Sequence, residues 1–316
     1  MKINQTLKSS AILMTVAFIW GFAIVGQKVG AEYMGPFLFS SARMLLGSVT
    51  MSIPIIIQWQ KNKRALGDSY EKKSLGEWVR DNKLLIRAGC TCGVVLFCAA
   101  NTQQIALIYV TASKTGFLTT LYIIIVPLMG LFLKKKLYWN TWISVIIAVV
   151  GLYLLTIADS LRLEFGDTIL IISAFLWALH ILVIDHFAPK VDVVKMSVIQ
   201  FVTLMLIGFI VSPFADPYFA EGLTMDKLID VLPALLWAGV MSAGIAYTLQ
   251  AIGQKHANPT VAALILSFEA VFSVIGGFLI LHESLTPREG LGCVLMFVAI
   301  ILAQIPVKRS SAIETN

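Results

Sequence analysis

Ten long apolar runs dominate this sequence and limit what the chain can fold into. A helix needs about 20 apolar residues to cross roughly 30 Å of hydrocarbon, because it rises 1.5 Å per residue. The composition agrees, since 58% of the 316 residues are hydrophobic and only 13% are charged, too few to solvate two soluble domains. We therefore predict an all-α integral membrane protein with ten transmembrane helices. The predicted spans are 9–30, 36–58, 84–107, 113–133, 138–158, 166–186, 194–214, 229–252, 259–281 and 287–306.

The basic residues indicate how these spans are oriented. Most of the 24 lysine and arginine residues fall in alternate connecting segments, among them the loop near 59–83 and the end of the chain. Cytoplasmic loops of membrane proteins carry such an excess. Both termini are therefore predicted to be cytoplasmic. The net charge of +6 reports topology, and we expect no nucleic acid partner.

The chain contains two similar halves. The Trp-containing run Phe18–Phe22 precedes a second such run, Phe175–Leu179, by 157 residues, and 112–115 precedes the similar 257–260 by 145 residues. Each half has five spans, and because five is odd, homologous halves in tandem cross the membrane in opposite senses, as in many secondary transporters. We predict a first five-helix repeat, a second inverted one and a short cytoplasmic tail: 1–158, with the cytoplasmic loop 59–83, then 159–307 and 308–316.

Several short motifs occur in an order that resembles a known family. They are Trp20-Gly21, Arg43, the run Gly116–Tyr122 leading to Pro127-Leu128, Glu269, and His282-Glu283. Together they are similar to the EamA branch of the drug/metabolite transporter superfamily, over about residues 9–306. The resemblance implies a ten-helix inverted repeat in a bacterial inner membrane that moves small metabolites, often outward, by alternating access.

Two charged residues at membrane depth are the first candidates for a site. An ionisable side chain is costly near the bilayer centre, so it usually faces a cavity or a partner. Glu269 lies near the middle of the ninth span, on a predicted small and polar stripe with Ala262 and Ser273. It is interpreted as a proton-coupling carboxylate, an anchor for a substrate ammonium, or a packing residue. Arg43 is the natural counter-charge, or it snorkels to the external interface.

Polar and aromatic residues in other spans extend this candidate site. Asn101 and Gln104 share a face of the third span, and we expect them to border a wet cavity rather than only to bond neighbouring helices. Trp20 and Trp177 are predicted to form aromatic walls related by the repeat, with helix packing as the alternative. The remaining predicted contacts with substrate are His180, Tyr122, Tyr247 and Ser267.

The function predicted from these features is secondary-active transport of small metabolites, with export of amino acids or related compounds as the leading hypothesis. Only Arg43 is a plausible deep cation, which favours neutral or zwitterionic substrates over polyanions. A broad exporter of amphipathic drugs and a membrane-embedded enzyme are the alternatives. The enzyme is disfavoured because the sequence has no G-x-S-x-G or HExxH motif and no intramembrane Asp pair. We expect no cofactor, no metal and no catalytic residue. The expected partners are the bilayer, a small-molecule substrate and, through Glu269, protons.

Overall fold

The computed structural model describes residues 2–66, 74–110, 112–132, 138–156, 164–216, 224–280 and 286–305. These residues are almost entirely helical and contain no β-strand. The helices of the first half are α1 (Lys2–Met34), α2 (Pro36–Leu66), α3 (Leu75–Asp81), α4 (Lys83–Tyr109), α5 (Ala112–Thr120), α6 (Tyr122–Phe132) and α7 (Trp139–Thr156). Those of the second half are α8 (Phe165–Phe187), α9 (Val193–Ala215), α10 (Met225–Leu236), the π-helix π1 (Trp237–Tyr247), α11 (Thr248–Gln254), α12 (Pro259–Leu266), α13 (Glu269–Ile280) and α14 (Pro287–Gln304).

The helices supply a segment for each of the ten predicted spans. Six stretches are long and apolar enough to cross a membrane: 5–24, 36–66, 83–109, 165–187, 193–215 and 225–254. Four shorter apolar stretches, 118–132, 139–154, 259–275 and 290–303, occupy the places of the fourth, fifth, ninth and tenth predicted spans. The prediction of an all-α, multi-span membrane protein is thus confirmed.

Several boundaries differ from the predicted ones. The second helix runs to Leu66 rather than to residue 58, because its last turns carry exposed polar and basic residues that extend it beyond the apolar run. Within the predicted basic loop, α3 is a short exposed helix that begins at a capping box between Ser74 and Glu77. The fourth and ninth spans were predicted as single helices, and each is instead two helices separated by a break.

The two halves pack together in symmetry-related pairs. The first span, α1, packs on α13 of the ninth, and its counterpart α8 packs on α6 of the fourth. Likewise α2 packs on π1 while α9 packs on α4, and the self-related pairs α2 with α9 and α7 with α14 are both formed. Every one of these contacts joins one half to the other. The halves are therefore interleaved, and most of the core lies between them.

Asp216 ties the halves together at one end of this interface. It is the first residue after α9, and its two carboxylate oxygens accept hydrogen bonds from the amides of Phe37 (3.0 Å) and Leu38 (2.8 Å) in the first turn of α2. A carboxylate suits this position because helix N-termini present free amides and a positive dipole. Gly35 precedes α2 with φ of +80°, and a Cβ there would lie 2.8 Å from Asp216 Cγ. Glycine is therefore suited to this position, because it accepts the positive φ and has no Cβ to clash with Asp216.

Candidate functional site

The breaks in the fourth and ninth spans bring two polar side chains together. Tyr122 is the first residue of α6, and Glu269 is the first residue of α13. The Tyr122 hydroxyl donates a hydrogen bond to Glu269 Oε1 at 3.4 Å, although the residues are 147 positions apart in the chain. Each half of the molecule thus contributes one broken helix, and the two breaks meet near the middle of the protein.

Side-chain hydroxyls help to form both breaks. Just before the first, Thr120 Oγ1 donates to the carbonyl of Gly116 within the preceding turn. At the second, Ser267 Oγ donates to the carbonyl of Leu264 at 2.8 Å. Such bonds compete with the regular helical pattern and bend helices. Ser267 therefore shapes the backbone beside Glu269, and its contact with substrate stays a prediction.

A partly enclosed cavity of about 560 Å³, counting the open space at its mouth, lies beside these breaks. Five of the side chains selected from the sequence line it: Trp20, Tyr122, Trp177, Tyr247 and Glu269. They come from both halves, so that the cavity lies at the repeat interface.

Three of these lining residues form an aromatic cluster. The ring centroid of Trp20 is 4.8 Å from that of Tyr247 and 6.3 Å from that of Trp177. Trp177 and Tyr247 are nearly parallel, at 9°, with centroids 6.1 Å apart. The structure therefore places both tryptophans in the lining of the cavity. Ile24 and Ile181, each four residues after one of the tryptophans, also line the cavity at equivalent positions of the two repeats.

The indole N–H groups of Trp20 and Trp177 donate hydrogen bonds to spans that are equivalent in the two repeats. Trp20 Nε1 donates to the carbonyl of Ser242 in π1 at 3.3 Å, and Trp177 Nε1 donates to Gln103 Oε1 in α4 at 2.7 Å. Because π1 and α4 belong to the eighth and third spans, these bonds are related by the repeat. They satisfy the polar edge of each indole and leave its carbon surface to line the cavity.

Arg43 lies deep in the protein, and its side chain does not snorkel. Its residue is only 2% exposed, and it shares a buried face of α2 with Ser40 and Gly47. The Arg43 guanidinium interacts electrostatically with the Tyr247 side chain, and so does Glu269. In the described part of the chain no acidic side chain forms an ion pair with Arg43. Tyr247 therefore interacts with both charged residues, which the sequence had suggested as a direct pair.

Three further predicted residues are buried beside the cavity rather than in its lining. Asn101 donates to the carbonyl of its own helix at Phe97 (2.9 Å), and Gln104 donates to the carbonyl of Gln27 (2.7 Å). His180 Nε2 is 3.4 Å from Gln200 Oε1. Asn101 and Gln104 thus lie outside the described lining, to which the third span contributes Gln103. Their contact with substrate stays a prediction.

The side chains that do line the cavity include polar residues that the sequence did not single out. They are Gln27, Gln103, Thr119, Ser242 and Gln250. Helical periodicity placed Asn101 and Gln104 on one face of the third span, but it did not single out Gln103, which is the residue of that turn in the described lining. Among the described residues, no cluster of three His, Cys, Asp or Glu side chains has the arrangement to hold a metal. Of the motif residues, His282 and Glu283 lie outside the described ranges.

The fold and the cavity together define a multi-span membrane protein whose two halves enclose a cavity at their interface. Sequence comparison gives the family. The chain belongs to the EamA-like transporter family, whose domain matches it twice, over residues 7–157 and 164–304. This family is a branch of the drug/metabolite transporter superfamily, so that the protein is a membrane transporter.

Individual relatives agree with the family assignment. An uncharacterized transporter of Archaeoglobus fulgidus is 24% identical over 296 residues, which cover 93% of this chain and 85% of that protein. The uncharacterized transporter YoaV of Bacillus subtilis is 22% identical over 299 residues, covering 92% and 94%. One solved crystal structure is similar with a TM-score of 0.70 and 16% identity, over 94% of this chain and 95% of that one. This last similarity shows the fold alone.

Proposed function

We propose that the protein is a secondary-active exporter of amino acids or related compounds, located in a bacterial cytoplasmic membrane and working by alternating access. The observation that carries the proposal is the meeting of two broken helices at the cavity. Discontinuous helices in corresponding positions of two inverted repeats are the usual place of the substrate site in secondary transporters. Here the breaks at Leu121 and at Ser267-Phe268 correspond closely in the two halves, and Tyr122 and Glu269 follow them directly.

The interleaved halves support alternating access. A substrate between them is exposed to one side or the other when one set of helices rocks against its counterpart. The cavity is bordered by α1 and α4 to α6 of the first half, and by α8, π1, α11, α12 and α13 of the second. A movement of one half relative to the other would therefore change the shape of the cavity, because both halves form its walls.

Glu269 is the residue proposed to couple transport to protons. It is partly buried and lines the cavity, and its described polar partner is the Tyr122 hydroxyl rather than a basic side chain. A carboxylate in this position can exchange a proton with the cavity as the cavity opens to each side. The proposal therefore assigns Glu269 to the binding and release of protons during the cycle.

The test is transport by purified protein in proteoliposomes. We expect saturable counterflow with members of a panel of amino acids, amines, nucleosides and sugars, and uphill accumulation driven by a pH gradient. Glu269→Gln is expected to lose the uphill accumulation while keeping counterflow at saturating substrate, since glutamine keeps the shape but carries no exchangeable proton. Asp230→Asn, a change at an exposed acid of α10, is the matched control.

Two results would contradict the proposal separately. Saturable exchange with none of the panel would reject the transport of small metabolites. Wild-type transport that is indifferent to the pH gradient would reject the coupling role of Glu269 and leave facilitated exchange.

Export of amphipathic drugs is the second candidate, favoured by the aromatic cluster. Trp20, Trp177 and Tyr247 present a large apolar surface in the cavity. Cationic dyes added to the same panel distinguish the two functions, because a drug exporter exchanges many unrelated dyes whereas a metabolite exporter discriminates among close analogues.

A further inference from the structure

The described lining of the cavity includes an acidic side chain and no basic one. Among the described lining residues Glu269 is an acid, and none is lysine, arginine or histidine. Its hydrogen bond from Tyr122 is long, at 3.4 Å, and in the described part of the chain it has no ion-pair partner. An ionised carboxylate in such surroundings lacks a counter-charge. A cationic ligand group would supply it.

The buried cation lies outside the described lining of the cavity. Arg43 is 2% exposed, whereas Tyr247, with which it interacts, lines the cavity. Among the described lining residues, a ligand carboxylate would therefore meet neutral side chains and the Glu269 carboxylate. The lining thus offers an ionic partner to an ammonium but none to a carboxylate.

Two further lining atoms are suited to an N–H donor. Gln250 Oε1 and Thr119 Oγ1 are buried and have no hydrogen-bond partner within the described ranges. Buried polar atoms normally have partners, so that unpaired ones at a cavity wall point to ligand or water. An ammonium group has three N–H donors and no acceptor, and Glu269, Gln250 and Thr119 all belong to the lining of the same cavity.

The aromatic cluster completes a site for a cation with an apolar body. Trp20 and Trp177 have their N–H groups bonded to Ser242 and Gln103, which leaves their ring carbons to the cavity. Aromatic faces within about 6 Å attract ammonium groups, and they also bury apolar surface. Carboxylate, oxygen acceptors and rings therefore favour the same ligand chemistry.

We propose that the group recognised in this cavity is the ammonium of an arylalkylamine or similar amine, and that a ligand carboxylate weakens binding. The inference rests on the proposed transport function, and within amino acids or related compounds it selects the related amines, which have no free carboxylate. Glu269 binds the ammonium, and the aromatic cluster binds the apolar body.

The test uses three ligands of one carbon framework in counterflow with the purified, reconstituted full chain. They are phenethylamine, which has the ammonium alone, phenylalanine, which has both groups, and 3-phenylpropionate, which has the carboxylate alone. We expect phenethylamine to have the lowest KM, phenylalanine a KM at least about tenfold higher, and 3-phenylpropionate no exchange. Glu269→Gln should raise the KM for phenethylamine about 30-fold or more, in the range seen when one partner of a buried charge pair is removed.

The controls separate this inference from the transport function. Asp230→Asn should leave all three ligands unchanged, since Asp230 is exposed on α10. If phenylalanine matches or exceeds phenethylamine, or if Glu269→Gln leaves the phenethylamine KM unchanged, the amine inference is overturned while transport stands. Exchange of none of the three also overturns it, and the broader panel then decides whether the protein transports another class of compound.

Discussion

At the scale of single residues, the site is organised around one hydrogen bond between the halves. The Tyr122 hydroxyl and Glu269 Oε1 are both held at the first residue of a helix that follows a break. A carboxylate at the start of a helix is favoured by the dipole of α13, which helps to hold a charge at this depth. The bond keeps the Glu269 side chain directed across the repeat interface.

Replacing Tyr122 by phenylalanine tests this positioning role. The ring and its packing remain, but the donor to Glu269 is lost, and a buried hydrogen bond contributes about 1 kcal/mol. We expect counterflow to fall about fivefold and the melting temperature to change little. The measurement is initial counterflow rate with parallel thermal unfolding in detergent.

Tyr153→Phe is the matched control for that substitution. Tyr153 is 45% exposed on α7, so its hydroxyl is not expected to affect the site. If Tyr122→Phe transports as well as Tyr153→Phe, the hydrogen bond to Glu269 has no part in transport.

At the scale of secondary-structure elements, the close approach of α1 to α13 explains the first Trp-Gly pair. A Cβ at Gly21 would lie 2.5 Å from Phe272 Cβ and 2.7 Å from the carbonyl oxygen of Glu269. The missing side chain therefore lets the two helices touch and places Trp20 next to the second break. In the other half the equivalent residue is Ala178, so the two helix pairs differ in this detail.

Gly21→Ala is expected to destabilise the protein by about 1–3 kcal/mol, because the added methyl meets backbone that cannot move without shifting a helix. Transport should fall as well, since Trp20 and Glu269 move apart. Thermal unfolding in detergent and counterflow measure the two effects.

Gly290→Ala provides the contrast within the same fold. A Cβ at Gly290 of α14 would meet nothing within 4 Å. We expect alanine at this position to leave the free energy of unfolding unchanged or to raise it by up to about 1 kcal/mol, because alanine has a higher helix propensity than glycine. Equal melting temperatures for the two variants would contradict the role given to Gly21.

The eighth span differs in helix type from its counterpart in the first half, the third span. Residues 237–247 form a π-helix, whereas the corresponding part of the third span, in α4, is a regular α-helix. The π-helix carries Ser242, which accepts the Trp20 hydrogen bond, and Tyr247, which lines the cavity and interacts with Arg43. Wide helical turns of this kind often occur at functional sites.

At the scale of the whole molecule, the paired contacts between halves agree with the internal repeat. The odd number of spans in each half makes the repeats inverted, and the basic residues predict that both termini are cytoplasmic. Asp216 joins the two halves at the end of the interface predicted to be external.

Cysteine labelling tests this topology. In a background with the four native cysteines replaced, Met225→Cys and Leu75→Cys introduce one thiol each at residues that are 70% and 79% exposed. An impermeant maleimide should label Met225→Cys in intact cells and Leu75→Cys only after permeabilisation. The reverse pattern would place the basic loop outside and contradict the predicted orientation.

Much of the architecture is predictable because membrane insertion is governed by composition over long windows. The ten apolar runs, the alternation of basic loops and the repeated Trp motif need no tertiary information. The breaks in the fourth and ninth spans are harder to predict, because the hydroxyl bonds beside them are local contacts that hydropathy over a long window does not register. The predicted stripe from Ala262 to Glu269 is interrupted by the second of these breaks.

The sequence by itself determined the class of protein, the number of spans, the repeat and the depth of Glu269, since hydropathy, charge and spacing are local properties. Only the tertiary structure decided which polar residues line the cavity. Gln103 and Gln104 are neighbours, yet one bonds Trp177 at the cavity and the other bonds the backbone of α1. That choice depends on the rotation of α4 against α1 and α8, which is set by packing between the halves.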